Sequence, residues 1–142
     1  MTGPVLGLDL GARRIGLAVS DEAAQIAFPA GHLERSGLAA DLAALQALVK
    51  ERAVKRIVVG LPLLLGGRDG SGAQAARRFA ESLAEATGLP VALLDERLTT
   101  AEAERALRQA PARQRRRRKD VIDAMAAALL LRSYLEQADS TP

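Results

Sequence analysis

The chain has no cysteine, a single histidine and only three aromatic residues, and each shortage removes a class of function. Without cysteine there is no disulfide framework and no thiolate zinc site. With His32 alone, a cluster of imidazole ligands is impossible. Phe28, Phe79 and Tyr134 are too few and too scattered to form the stacking platform on which RRM-type and OB-type readers lay bases. No apolar run approaches the roughly 20 residues that span a bilayer, and no signal peptide opens the sequence. The expectation is a soluble, cytoplasmic protein with no membrane partner. Its 142 residues are enough for one domain, 1–142, that buries about two-thirds of its unfolded surface.

What is present is unevenly placed. Net charge is +3 from 20 basic and 17 acidic residues. The run from Arg113 to Lys119 holds six of those bases, leaving 14 against 17 acids, or −3, elsewhere. Basicity is therefore local. Arg115, Arg116, Arg117, Arg118 and Lys119 form an electrostatic footprint for a polyanion, because each can displace a condensed counterion from phosphate. A solvated loop without a partner is the alternative. Arg13 and Arg14 are further candidates for phosphate contacts.

The periodicities alternate along the chain. Val5 to Leu10 and Ile15 to Ser20 are expected as strands joined by a tight Gly-Ala-Arg-Arg turn in which Gly11 takes positive φ, with Gln25 to Leu33 as a third strand. Leu38, Leu42, Leu45 and Val49 recur at helical spacing. The near-continuous apolar run Arg56 to Gly60 suits a parallel strand buried on both faces. Ser71 and Gln74 have capping-box spacing at the start of a helix carrying Ala76, Phe79, Ala80 and Leu83, which Gly88 should end. Val91 to Leu94 is a fifth strand. Thr99 and Glu102 repeat the capping-box spacing before a short helix closed by Pro111, and a last helix covers about Val121 to Glu136. Three strands in a meander followed by alternating helices and strands predict an α/β fold with a mixed sheet.

Three segments of this pattern carry acids on or beside the sheet. Alternation in the first strand places Val5, Gly7 and Asp9 on one face and Leu6, Leu8 and Leu10 on the other. A charge in so apolar a strand costs several kcal/mol (about 2–7 for an unpartnered polar group) unless ionic partners or a metal hold it. Asp9 capping the following turn is the alternative. In the fifth strand Ala92, Leu94 and Glu96 share a face, so Glu96 rather than Asp95 is the candidate ligand, unless it serves a salt bridge. In the last helix Asp123 lies among the small residues Ala124, Ala126 and Ala127, which allow close approach to the sheet, whereas Asp120 suits the helix dipole. Carboxylates gathered on one sheet face are hard ligands for Mg²⁺ or Mn²⁺, a recurring arrangement for phosphodiester hydrolysis.

The segments GLDLGARRIGLAVSD, IVVGLPLLLGGRDG, LLDERLTTAEAERAL and VIDAMAAALLLRSYL resemble the YqgF/RuvX family. The resemblance implies a ribonuclease H-like fold with a five-stranded mixed sheet in order 3-2-1-4-5, strand 2 antiparallel and helices on both faces. It implies a divalent-metal nuclease using Mg²⁺ or Mn²⁺, with Asp9, Glu96 and Asp123 as catalytic and metal-binding residues. It also implies a role in processing the 5′ end of pre-16S ribosomal RNA, or cleavage of Holliday junctions. Nucleic acid is the expected partner, RNA being favoured and branched DNA possible, with the protein a monomer or a homodimer. The chain departs from the family's common Leu-Asn-Met-Asp-Gly loop, reading Leu63-Leu64-Leu65-Gly66-Gly67; this apolar run could form an interface or pack over its own sheet. A non-catalytic RNA-binding factor, which would keep the arginine run and need no acids, is the alternative from another class.

Overall fold

The computed structural model of the chain describes residues 3–63, 67–96 and 119–139. Eight elements follow in order: β1 (Val5–Leu10), β2 (Arg14–Ser20), β3 (Ala27–Glu34), α1 (Leu38–Glu51), β4 (Arg56–Leu61), α2 (Ser71–Thr87), β5 (Val91–Asp95) and α3 (Lys119–Asp139). The five strands form one sheet in the order β3-β2-β1-β4-β5. β2 runs antiparallel to both of its neighbours, whereas β1, β4 and β5 are parallel. The α/β class, the strand order and the orientation of β2 are as the sequence and the resemblance led one to expect. The short helix anticipated before Pro111 and the run from Arg113 to Arg118 lie outside the described residues.

Side-chain alternation divides the sheet into two unlike faces. On one, Leu6, Leu8, Ile15, Leu17, Val19, Ile57 and Val59 pack with Leu45 of α1 and Phe79, Ala80 and Leu83 of α2. Each fully buried aliphatic side chain there contributes about 1.5–3 kcal/mol relative to exposure. On the other face, Val5, Ala18 and Val58 meet Ala127, Leu131 and Leu135 of α3. α3 comes down onto glycine. A Cβ at Gly7 would lie 2.9 Å from Leu131 Cβ, and one at Gly16 would collide with the backbone carbonyl oxygen of Asp123. Ala124 and Ala127 are buried against the sheet. Small residues on both sides bring helix backbone to sheet backbone, which sets the height of Asp123 above the strands.

Two local expectations need correction. Gly11 does not take positive φ; its N–H donates to the Arg14 carbonyl at 2.8 Å, and a Cβ would lie 2.6 Å from that same oxygen. Glycine is required there for close approach, not for a left-handed backbone. Ser71 is the first helical residue of α2, so Gly70 is the N-cap and no side chain caps the helix. The serine is displaced by one position from where a capping box would place it. Gly88 does end α2, at φ 71°, in the left-handed cap that glycine adopts at least cost. Leu63 packs with Leu61, Ala73 and Ala76, so this residue of the apolar loop covers its own sheet.

Candidate metal and nucleic-acid site

The acids converge where β1, the chain just beyond β5 and the first turns of α3 meet. Asp9 lies on the α3 side of the sheet, opposite Gly16 in the β1–β2 ladder. Glu96 immediately follows β5, its N–H donating to the Leu61 carbonyl at 3.3 Å. β4 separates β1 from β5, so their strand axes are about 10 Å apart. Gly60 of β4 removes the obstacle: a Cβ at this position would lie 2.5 Å from Glu96 Oε2. The Glu96 side chain crosses over the bare backbone of Gly60 and makes a side-chain hydrogen bond with Asp9.

That contact joins two acids and has an electrostatic consequence. Burial first, then the negative charge of Asp9 and the hydrogen bond to it, push the Glu96 carboxyl up to about 7. Burial also raises Asp9, whose hydrogen bond from Glu96 opposes the shift while the charge of Asp123 reinforces it. The pair titrates as a unit, with the proton held on Glu96 and Asp9 accepting. Ionising Glu96 would set three carboxylates against one another in a poorly solvated place, and a cation there would relieve the repulsion.

Asp123 is the nearby but separate member. Its Oδ2 lies 3.0 Å from Arg14 Nε, close enough for an ion pair. The contact is not aligned as a hydrogen bond, and this occluded oxygen has no hydrogen-bond partner among the described residues. As arranged, no three acids among the described residues form a ready ligand group for a metal ion. The structure therefore brings Asp9 and Glu96 together, sets Asp123 within electrostatic reach of Asp9, and turns it towards Arg14.

The remaining expected residues fall into three groups. Arg14 is on the same face as the acids and paired with one of them. Arg13 is exposed in the turn, where its carbonyl accepts the Arg35 N–H at 2.8 Å. Arg115, Arg116, Arg117 and Arg118 lie outside the described residues, and of Lys119 and Asp120 only the backbone, in the first turn of α3, is described. His32 is opposite Gly16 in the β2–β3 ladder, and its Nε2 is 3.3 Å from Glu34 Oε1. The Asp123 backbone over Gly16 stands between this histidine and Asp9, consistent with a structural role. Asp69, in the loop before α2, is paired with Arg77 at 2.7 Å, and this guanidinium holds its carboxyl below the usual range. That Gly60, at the carboxyl end of the fourth strand and facing the acids' crevice, clears the path for Glu96 was not foreseen from the sequence; a lone glycine in an otherwise apolar strand was the available signal.

Comparison with known proteins places this geometry in a lineage. The RuvX Holliday junction resolvase family matches residues 3–137. A relative from an Anaeromyxobacter species is 48% identical over 133 residues, covering 92% of this chain and 95% of that protein. One from Moorella thermoacetica is 46% identical, covering 94% of each. Both bear the name "Putative pre-16S rRNA nuclease". Among solved structures, Thermus thermophilus RuvC in complex with a Holliday junction substrate superposes with a TM-score of 0.62 at 16% identity, covering 97% of each chain. That likeness identifies the fold as ribonuclease H-like. With nearly all of its length matched and its relatives close to half identical, this chain belongs to the RuvX family.

Proposed function

We propose that residues 1–142 form one divalent-metal-dependent nuclease domain that hydrolyses phosphodiester bonds in the cytoplasm, with pre-16S ribosomal RNA as its substrate. The observation that carries this reading is the Asp9–Glu96 contact across Gly60, with Asp123 beside it. Burying acids together is unfavourable, and it is reversed when a cation is bound. Names of relatives at 46% and 48% identity support the substrate, and the family description supports branched DNA as the second reading.

The residues present fit Mg²⁺ or Mn²⁺. All donors are carboxylate oxygens, which suit hard cations, and Asp123 Oδ2 lacks an aligned hydrogen-bond donor among the described residues. Asp9, Glu96 and Asp123 would hold the ion. When bound, it supplies Lewis-acid activation of water and neutralises charge growing on the phosphate. Asp9, fixed by the central strand, orients the site. Glu96 loses its proton on joining the ligand set, so occupancy increases as pH rises through about 7. Arg13, Arg14, Lys119 and Arg115 to Arg118 would draw the phosphate chain towards the acids, by charge and shape instead of base stacking.

The test is cleavage of precursor ribosomal RNA, single-stranded RNA and four-way DNA junctions with Mg²⁺ or Mn²⁺. Asp9→Asn should lower turnover by about 10³-fold or more, a loss of roughly 4 kcal/mol of transition-state stabilisation. Its folded stability without metal should be equal or higher, since repulsion is relieved. Undiminished metal-dependent cleavage by the pure variant would refute the assignment, and preferential cleavage of junctions would replace RNA with branched DNA.

A further inference from the structure

Asp123 has two possible cationic partners, one built into the protein and one delivered to it. Arg14 opens β2 on the same face of the sheet, and its Nε is 3.0 Å from Asp123 Oδ2. The pair is neither sealed nor free: the side chains are 27% and 30% exposed, so a phosphate can reach the guanidinium. The contact also lacks hydrogen-bond alignment, which leaves it weaker than a forked arginine–carboxylate pair. Asp123 is close enough to raise the carboxyl of Asp9 by its charge, yet it faces Arg14 instead of completing a group of three acids with Asp9 and Glu96.

We propose that Arg14 is a positioning residue that holds Asp123 out of the ligand set until a substrate phosphate draws the guanidinium away, so that substrate completes the metal site. The inference rests on the nuclease reading. Arginine suits the exchange because its planar fork binds phosphate bidentately, whereas its contact with Asp123 Oδ2 is not aligned as a hydrogen bond. Once released, Asp123 needs only a side-chain rotation, since its backbone is fixed over Gly16. Substrate and metal then strengthen one another's binding by the same factor, as linkage requires. The device keeps the acids in an incomplete arrangement while no polyanion is present.

The experiment is a double-mutant cycle on Mn²⁺ affinity in the full chain without substrate, read from the electron paramagnetic resonance of free Mn²⁺. Arg14→Gln should tighten Mn²⁺ binding about twofold to fivefold, the equivalent of a partly exposed ion pair. In the Asp123→Asn background the same substitution should change nothing, because its effect passes through Asp123. A 2′-O-methyl phosphorothioate oligonucleotide, chosen to resist cleavage, should tighten Mn²⁺ binding to the wild type and not to Arg14→Gln. Unchanged affinity in Arg14→Gln overturns the proposal. So does equal tightening in both backgrounds, which would be a long-range effect of charge. Absence of any Mn²⁺ binding that Asp9→Asn weakens, with or without oligonucleotide, overturns instead the metal reading on which it rests.

Discussion

The two faces of the sheet are made of the same strands and obey opposite rules. The face under α1 and α2 is lined with leucine, isoleucine and valine, and its helices stand off by the depth of those side chains. The face under α3 sets Gly7, Gly16 and Gly60 among Val5, Ala18 and Val58, so at the glycines the helix and the Glu96 side chain come down almost onto backbone. Large side chains would bury more area there, but they would lift α3 and fill the space through which Glu96 reaches Asp9. One face supplies cohesion; the other gives up cohesion for position.

This contrast can be broken from either side. The largest effect on folding should come from Leu83→Ala, which empties a fully buried position against the first face. It should lower stability by about 2–5 kcal/mol, measured by urea unfolding, and leave Mn²⁺ affinity unchanged. A matching fall in affinity at temperatures where the variant is folded would show that the faces are not independent.

Gly60→Ala should do the reverse. Its new Cβ meets the end of a flexible side chain, Glu96 Oε2, so stability should change by less than about 1 kcal/mol. Displacing Glu96 from Asp9 should weaken Mn²⁺ about tenfold to a hundredfold, comparable to the loss of a group that orients a ligand. Titration calorimetry with Mn²⁺ checks it; wild-type affinity would mean that Glu96 does not need the glycine.

The smallest and most specific effect is on pH. Glu96 has its pKa raised from 4.5 to about 7, so the folded state binds more protons than the unfolded one between those values. Metal-free protein should therefore be most stable below about pH 4.5 with respect to this group, losing that contribution as pH rises through about 7. Discounted for the partial exposure of Glu96, the loss is on the order of 1 kcal/mol. Glu96→Gln should flatten this part of the melting profile, measured by circular dichroism in a chelator. An unchanged slope would place the titrating group elsewhere.

How much of this was visible beforehand depended on the range of the interaction. Period-two alternation grouped Asp9 with Val5 and Gly7, and Glu96 with Ala92 and Leu94, because side-chain direction in a strand depends only on position within it. The small residues of α3 signalled close packing for a similar reason. The capping box at Ser71 failed by a single position, since several short polar or glycine residues can start the same helix. Gly11 was read for its backbone freedom when its neighbour's carbonyl was what required it. The pairing of Arg14 with Asp123 was out of reach altogether. Its partners are 109 positions apart, and nothing local to either arginine 13 or arginine 14 says which one meets the helix.

The placement of α3 also governs when the site can exist. Ribosomes deliver a protein from its first residue onwards, and domains fold as their segments become available. A chain made only as far as β5 has every strand of the sheet, with Asp9 and Glu96 among them, but neither Asp123 nor the helix that covers Gly7 and Gly16. Of the described elements, α3 is synthesised last, and it brings the third acid. If Asp123 completes the metal site as proposed, a nascent chain would become a competent nuclease only after α3 has been made.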